Sequence, residues 1–427
     1  MKVIPIFPCR NSAQLLLSII LFASSLSSAK GSERFDVIVY SATPGGIAAA
    51  IAAASDGCSV LLAEPTHRIG GLVTSGLSHT DFHSRESLSG SFLDFANRVE
   101  QHYRDAFGPE SQQVKDCFGG AFGEPKVNLL IYQQMLNEHP AIRLVTNRRL
   151  KSLELSADGH LIKSVCLSGE NEEHHFHCSV AIDASYEGDL MAAAGVPWRV
   201  GREGRMEYGE ALAPEEPDDQ LQAYNFRFIM TKDPSNRVTP KMPEGYDRNN
   251  FVGVIPALQS GAITRVFDYP SRCIFKAQTP PLPNGKYDIN DVSRNVVRLS
   301  LPGQNLGWPN GSLEERTQIF HTHLTDQAGL LYFLQNDAAV PERFQTEARE
   351  WGWCRDEFED SDHLPPQLYI REARRMIGQH VYVQKDSEYM TGDARAKLHM
   401  DSIAMADYGN NCHGTAHVGT RTRPTHR

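Results

Sequence analysis

The chain has 427 residues and a mass of 47.5 kDa, with 41% hydrophobic and 22% charged residues. That length suits two or three domains, and the composition excludes a disordered, collagen-like or disulfide-scaffold protein. Lys and Arg number 42 against 52 Asp and Glu, a formal net charge of −10, and with no local basic stripe this argues against nucleic-acid binding.

The N-terminus reads as a secretory signal peptide. Lys2 and Arg10 are followed by an apolar run from Leu15 to Leu26 and by Ser27, Ser28 and Ala29, which places cleavage after Ala29 and the protein in the periplasm or outside the cell. The run is shorter than the ~20 residues a spanning helix needs, so no stable membrane span is expected after cleavage. The absence of an Arg-Arg pair argues against export of a prefolded protein, so any cofactor would be acquired after export. Of eight cysteines, Cys9 lies in this leader, and Cys58, Cys117, Cys166, Cys178, Cys273, Cys354 and Cys412 are widely spaced. Without CxxC or clustered Cys/His spacing, no metal site is expected. The odd number implies a thiol that is free or paired between chains.

Residues 35–40 form a short apolar strand that runs into Ser41-Ala42-Thr43-Pro44-Gly45-Gly46 and an alanine-rich helix over 47–54. Gly57 ends that helix and residues 58–64 give a second buried strand, closing with Glu64. This is the layout of a dinucleotide-binding unit. Small turn residues let the backbone approach a pyrophosphate, the helix N-terminus offers free N–H groups, and Glu64 is placed to accept from ribose hydroxyls. The glycine fingerprint is eroded, because Ser41, Thr43 and Gly46 occupy its three positions. A second turn, His67-Arg68-Ile69-Gly70-Gly71, follows directly and moves the reading to FAD, because it matches the flavoprotein pattern of a glycine turn beneath the pyrophosphate and ribityl chain.

Further along, residues 84–107 predict a helix with Phe92, Phe95, Ala96, Val99, Tyr103 and Phe107 on one face. Residues 142–144, 150–155 and 161–167 read as a β-meander with a hairpin turn at Asp158-Gly159, and 178–185 as a strand returning to the FAD sheet. A mixed insertion over 202–365 is rich in Pro and Gly from 213 to 311, then helical at 313–337 and 341–351. A helix beginning near Leu368 carries Arg371, Arg374 and Arg375, of which Arg371 and Arg374 are candidates to bind an anionic substrate or the FAD phosphates. His399, Asp401 and His413 add a polar cluster without an assigned role. No Ser nucleophile elbow, HExxH or Walker loop occurs.

Taken in order, the blocks Tyr40–Ala50, Ile69–Leu77, Asp183–Leu190, Ala223–Arg227, Gly329–Asp337 and Gln367–Met376 resemble the secreted bacterial FAD-dependent oxidoreductases, often loosely labelled xanthan-lyase-related. The resemblance covers roughly residues 35–415. It implies an α/β fold: an FAD-binding, Rossmann-like domain of the two-dinucleotide-binding-domain flavoprotein type with an inserted mixed α/β substrate domain. The boundaries it suggests are 33–201 for the FAD domain, 202–365 for the insertion and 366–427 for a return to the FAD domain. It implies FAD contacts from Ser41, Thr43, Pro44, Gly45, Gly46, Glu64, Gly70, Gly71, Asp183 and Asp189, and it brings His79, Asp81 and His83 near the flavin as catalytic proton carriers. The reaction expected is hydride or electron transfer between FAD and a small organic substrate, with the electron acceptor left open. Two departures stand out. Ser41 replaces the usual first glycine, and after Asp401–Met405 the chain ends in the polar run Arg421–Arg427, where similar proteins continue with a closing strand and helix. The flavin-ring half of the site is therefore expected to be incomplete. The alternatives are a defective, non-catalytic flavoprotein and a polysaccharide lyase.

Overall fold

The computed structural model describes residues 33–169, 172–269, 272–292, 296–409 and 411–415; the expected leader and the polar ending Arg421–Arg427 lie outside them. The first sheet comprises β1 (Glu33–Tyr40), β2 (Val60–Ala63), β3 (Ile142–Val145), β4 (Arg149–Leu155), β5 (Ile162–Ser168) and β6 (Glu173–Asp183), in the order β3-β2-β1-β6-β5-β4. The β3-β2-β1-β6 portion is parallel, with Val39 opposite both Leu62 and Ile182. Alternation along β1 sorts its two faces. Val37 and Val39 pack on α1 (Pro44–Ser55), α2 (Gly90–Phe107) and α4 (Pro125–Asn137), while Ile38 and Tyr40 pack on Val165, Leu167, Phe176 and Leu190. Each fully buried aliphatic side chain here contributes about 1.5–3 kcal/mol.

Helix α1 begins as its sequence dictates. Pro44 takes the first position, the Thr43 hydroxyl caps Gly46 N–H, and Gly57, at φ +86°, ends the helix. The short α3 (Gln112–Asp116) leads to α4, which sequence reading missed although Val127, Ile131 and Met135 recur every four residues on its buried face. Because α4 is a crossover helix, the expected meander over 142–167 is corrected. Residues 142–145 are the third parallel strand beside β2, and the meander is β4-β5-β6. The helix expected from residue 84 starts at Gly90, and Phe107 at its end is exposed.

After α5 (Asp189–Ala193), β7 (Trp198–Arg199) and α6 (Arg205–Tyr208), a second, mixed sheet is built from β8 (Phe228–Thr231), β9 (Arg237–Val238), β10 (Arg265–Asp268), β11 (Cys273–Ala277), β12 (Lys286–Asn290) and β13 (Gly352–Cys354). Its order is β10-β11-β12-β8-β13-β9. Helices α7 (Ile255–Gln259), α8 (Leu313–Asn336) and α9 (Glu342–Arg349) share its large apolar core, and α8 starts with a Ser312/Glu315 capping box. Where the two sheets meet, the fully buried Lys286 ammonium lies 2.6 Å from Glu124, 2.7 Å from Glu357 and 2.9 Å from Asp356.

The helix expected near Leu368 is absent. After Pro365-Pro366 the chain is extended, Tyr369 N–H donates to Asn225 O, and β14 (Arg375–Met376) pairs with β7. The period is two rather than 3.6: Leu368 and Ile370 enter the core, while Tyr369 and Arg371 face the other way. No described helix is long and apolar enough to cross a membrane.

Candidate flavin crevice and polar centre

The chain leaves β1 toward β2 and β3 on one side and returns through β6 on the other, which opens a crevice at the carboxyl ends of β1 and β6. Thr43 Oγ1 bridges it, donating to Ala184 O at 2.8 Å. Ser41 sits at φ +77°, in the left-handed region that glycine usually fills, so the eroded fingerprint falls on the strained residue of the turn. Gly46 has no room for a side chain: a Cβ would stand 2.1 Å from Ser41 O. At the start of α1, Pro44 has no N–H, Gly46 donates to Thr43 Oγ1 and Ile47 to Thr43 O. This leaves the Gly45 amide without a partner among the described residues, beside space where a Cβ would meet nothing nearer than 3.9 Å. An open amide at the positive end of a helix is an anion-binding element.

Glu64 is buried at the tip of β2. Its Oε2 accepts from Ala42 N at 2.8 Å and Ser41 Oγ at 3.2 Å, and its Oε1 from Thr66 N at 2.9 Å and Thr66 Oγ1 at 2.7 Å. The carboxylate borders a cavity of about 340 Å³ whose walls include Ser41, Tyr186, Glu187, Arg316 and Phe320. Gly70 donates to Ala42 O at 2.7 Å, which ties the second glycine turn to the first. Gly71 lies under Tyr186, whose hydroxyl would be 2.4 Å from a Cβ there and accepts from Leu72 N–H. Tyr186 and Arg316 escaped sequence reading: one follows β6 and the other comes from α8, far along the chain.

Asp183 and Asp189 also lie at this end of the sheet. Asp183 accepts from Ser185 N and Oγ and from Met191 N, which braces the turn into α5. Asp189 receives Arg316 at 2.7 and 2.8 Å and Arg374 at 2.7 Å. Burial pushes its carboxyl up, but the two guanidinium groups outweigh it and hold it below the usual range. Arg374 also donates to Glu187 O and stacks over Trp198, so its charge is committed inside the protein.

His79, Asp81 and His83 fall on the side of the glycine turns that faces the second sheet, but they do not converge on one point. His79 is buried, stacked on Phe122 at 4.1 Å between ring centroids, with Nε2 unpartnered among the described residues. Burial pushes it down to about 4, so it is neutral at ordinary pH. Asp81 and His83 are exposed; Asp81 hydrogen-bonds Tyr408, His83 stacks on the same ring at 5.6 Å, and His83 N–H donates to Asp407 O.

Beneath them is a centre that sequence reading did not find. Arg227 pairs with Asp288 through two bonds of 2.7 and 2.6 Å, and the same carboxylate accepts from the backbone of Ser78 and His79. Arg298 donates to Asp291, to Ser300 and to His413 O. Arg371 stands with them, stacked 4.1 Å over Tyr369. Gly76, just past the second glycine turn, touches this group so closely that a Cβ would be 1.9 Å from Arg227 O.

A parallel sheet with a switch-point crevice, a free helix-start amide, a carboxylate at the tip of β2 and two glycine turns together define a dinucleotide-binding flavoprotein fold. Residues 36–426 match the family described as FAD dependent oxidoreductase, and the chain belongs to that family, whose cofactor is FAD. Among solved structures it is similar to 3-ketosteroid-Δ4-(5α)-dehydrogenase from Rhodococcus jostii RHA1, at 13% identity and TM-score 0.28, over 51% of this chain and 63% of that one. It is also similar to anhydrotetracycline hydroxylase from Streptomyces rimosus, at 13% identity and TM-score 0.33, over 60% of this chain and 44% of that one. A third similarity is to a myxobacterial chondrochloren halogenase, at 16% identity and TM-score 0.30, over 40% and 41%. In each case the match spans less than two thirds of the other chain. No curated protein matches.

Proposed function

We propose that this chain is an exported FAD-dependent oxidoreductase passing a hydride or electrons between bound flavin and a small organic substrate. In this reading residues 1–29 are the leader, 33–201 hold the cofactor, 202–365 form the substrate-facing insertion and 366–427 return to the first domain. The observation that carries it is the crevice, whose residues fit a dinucleotide. The Gly45 amide and its open space suit a phosphate. Of the four donors on Glu64, two are the rotatable hydroxyls of Ser41 and Thr66, which ribose hydroxyls replace like for like. Thr43, Pro44 and Gly46 shape the turn around that phosphate, and the Gly70–Gly71 backbone flanks it.

FAD, when bound, supplies the redox chemistry. The chain supplies orientation and proton handling. Neutral His79, with Nε2 unpartnered among the described residues, is placed to accept a proton as the substrate is oxidised, while Asp81 and His83 stand apart beside Tyr408, where either exchanges protons with solvent. A polysaccharide lyase has no observation in its favour.

The test is the absorbance spectrum of the purified protein before and after incubation with excess FAD. A retained flavin spectrum that bleaches with a reductant is expected. Glu64→Gln, which removes the ribose acceptor's charge, should weaken uptake ~10-fold or more. A protein that takes up no flavin under either condition would overturn the reading in favour of a defective flavoprotein.

A further inference from the structure

We infer that Arg371 is the docking point for a carboxylate group of the substrate. The inference rests on the oxidoreductase reading only in calling the owner of that carboxylate the substrate.

Two guanidinium groups meet at Tyr369, with Arg371 stacked on its ring at 4.1 Å and Arg227 5.9 Å from the ring centroid, and a third, Arg298, is held nearby on Asp291, whose charge Arg371 also feels. Two buried carboxylates face them, and both are held by other donors. Asp288 receives four donors, two from Arg227 and two backbone amides. Asp291 receives Leu299 N, Ser300 N, Ser300 Oγ and Arg298. Both carboxylates are thus engaged by other donors, and neither pairs with Arg371 among the described residues.

Arg371 donates instead to two neutral groups, Ala223 O at 2.8 Å and Asn225 Oδ1. It forms no ion pair, and its Nη1 N–H groups have no partner, among the described residues. Burial, with Arg227 and Arg298 adding to it, pushes this guanidinium down to about 10. The nearby Asp291 carboxylate opposes that shift without bonding to Arg371, and a shielded cation with no ion-pair partner of its own is a costly arrangement that a bound anion relieves. The fork, held flat against Tyr369 with one edge unused, presents the planar pair of donors that a carboxylate matches and that a lysine does not. Position completes the case. The Asn225–Arg227 segment that fixes Arg371 is the one pressed against Gly76, so Arg371 belongs to the same centre as His79 and the second glycine turn.

The experiment titrates the full chain, loaded with FAD, with sodium acetate and sodium succinate and with the uncharged acetamide and succinamide. Binding is followed by calorimetry and by thermal unfolding. Carboxylates should bind and raise Tm, and the amides should not. Arg371→Lys should weaken carboxylate binding about 10-fold and Arg371→Gln about 100-fold or more, with the Tm response lost. Equal carboxylate binding in wild type and both variants overturns the inference. So does a variant that keeps carboxylate binding but loses FAD, because that assigns the guanidinium to the flavin. If Arg371→Gln does not fold, Arg371→Lys with its charge retained decides the question. If wild type takes up no FAD, the oxidoreductase reading falls, while the same titration of the flavin-free chain still tests Arg371.

Discussion

The crevice at the ends of β1 and β6 and the arginine centre beside the second sheet receive negative charge by opposite means. The crevice works with backbone and small residues: a Gly45 amide left open among the described residues, a helix start, and glycines that let a ligand come close. Two of its nearby arginines, Arg316 and Arg374, share the single carboxylate of Asp189. The centre works with side-chain charge, two guanidinium groups held in ion pairs and the third, Arg371, in none among the described residues. The first device suits a cofactor that is bound once and kept. The second, with a guanidinium outside any ion pair among the described residues, suits a ligand that comes and goes, because binding relieves a tension that release restores.

Four substitutions separate the two regions. The largest effect is expected from Asp288→Asn, which leaves Arg227 buried and unpaired: a loss of about 3–5 kcal/mol in denaturant unfolding. Replacing Gly46 by Ala should cost about 2–3 kcal/mol and abolish FAD uptake, because the new methyl meets Ser41 O. Carboxylate binding at the centre should survive that change, and parallel loss of both would show that the regions are one site. Next comes pH. Burial, together with Arg371 and the neighbouring arginines, pushes His413 down to about 3, and burial pushes His79 down to about 4. Both stay neutral in the fold but take protons below 6.5 once unfolded. Stability is therefore lost as pH falls from 6.5 toward 4, by about 1.4 kcal/mol per pH unit for each histidine. His413→Asn should flatten that slope by one proton, measured by urea unfolding at a series of pH values. The smallest effect is a gain: Ser41→Gly relieves the left-handed backbone and should raise stability by about 1 kcal/mol, less whatever the lost bond to Glu64 contributes.

What was legible in the sequence follows the same division. The crevice is local: residues 41 to 76 contain both glycine turns and Glu64, and their requirements for small residues and a strand-tip acid leave a mark on a short window. Helix α4 was missed and β3 misplaced because a buried crossover helix with a modest apolar stripe lacks that kind of mark. The centre is not local. Arg371 meets Asn225 across 146 positions, and Arg298 meets His413 across 115. Arg371 stood out as a candidate for its charge, yet the helix assigned to it hid the two-residue period that turns Tyr369 and Arg371 together toward the centre. Arg374 carries the same charge three residues later and spends it on Asp189, a difference no local pattern reveals.

The segment that reaches the centre last, from Asp407 to Gly414, is pinned at two places: Asp407 O accepts from His83 N–H, and Gly414 O accepts from Ala223 N–H. Between them sits Cys412, the exposed thiol among the described cysteines, while Cys117, Cys166, Cys178, Cys273 and Cys354 are buried. An unmodified chain thus carries its own attachment point for a fluorophore on this segment, where a change in dye emission would report a carboxylate arriving at the centre in real time.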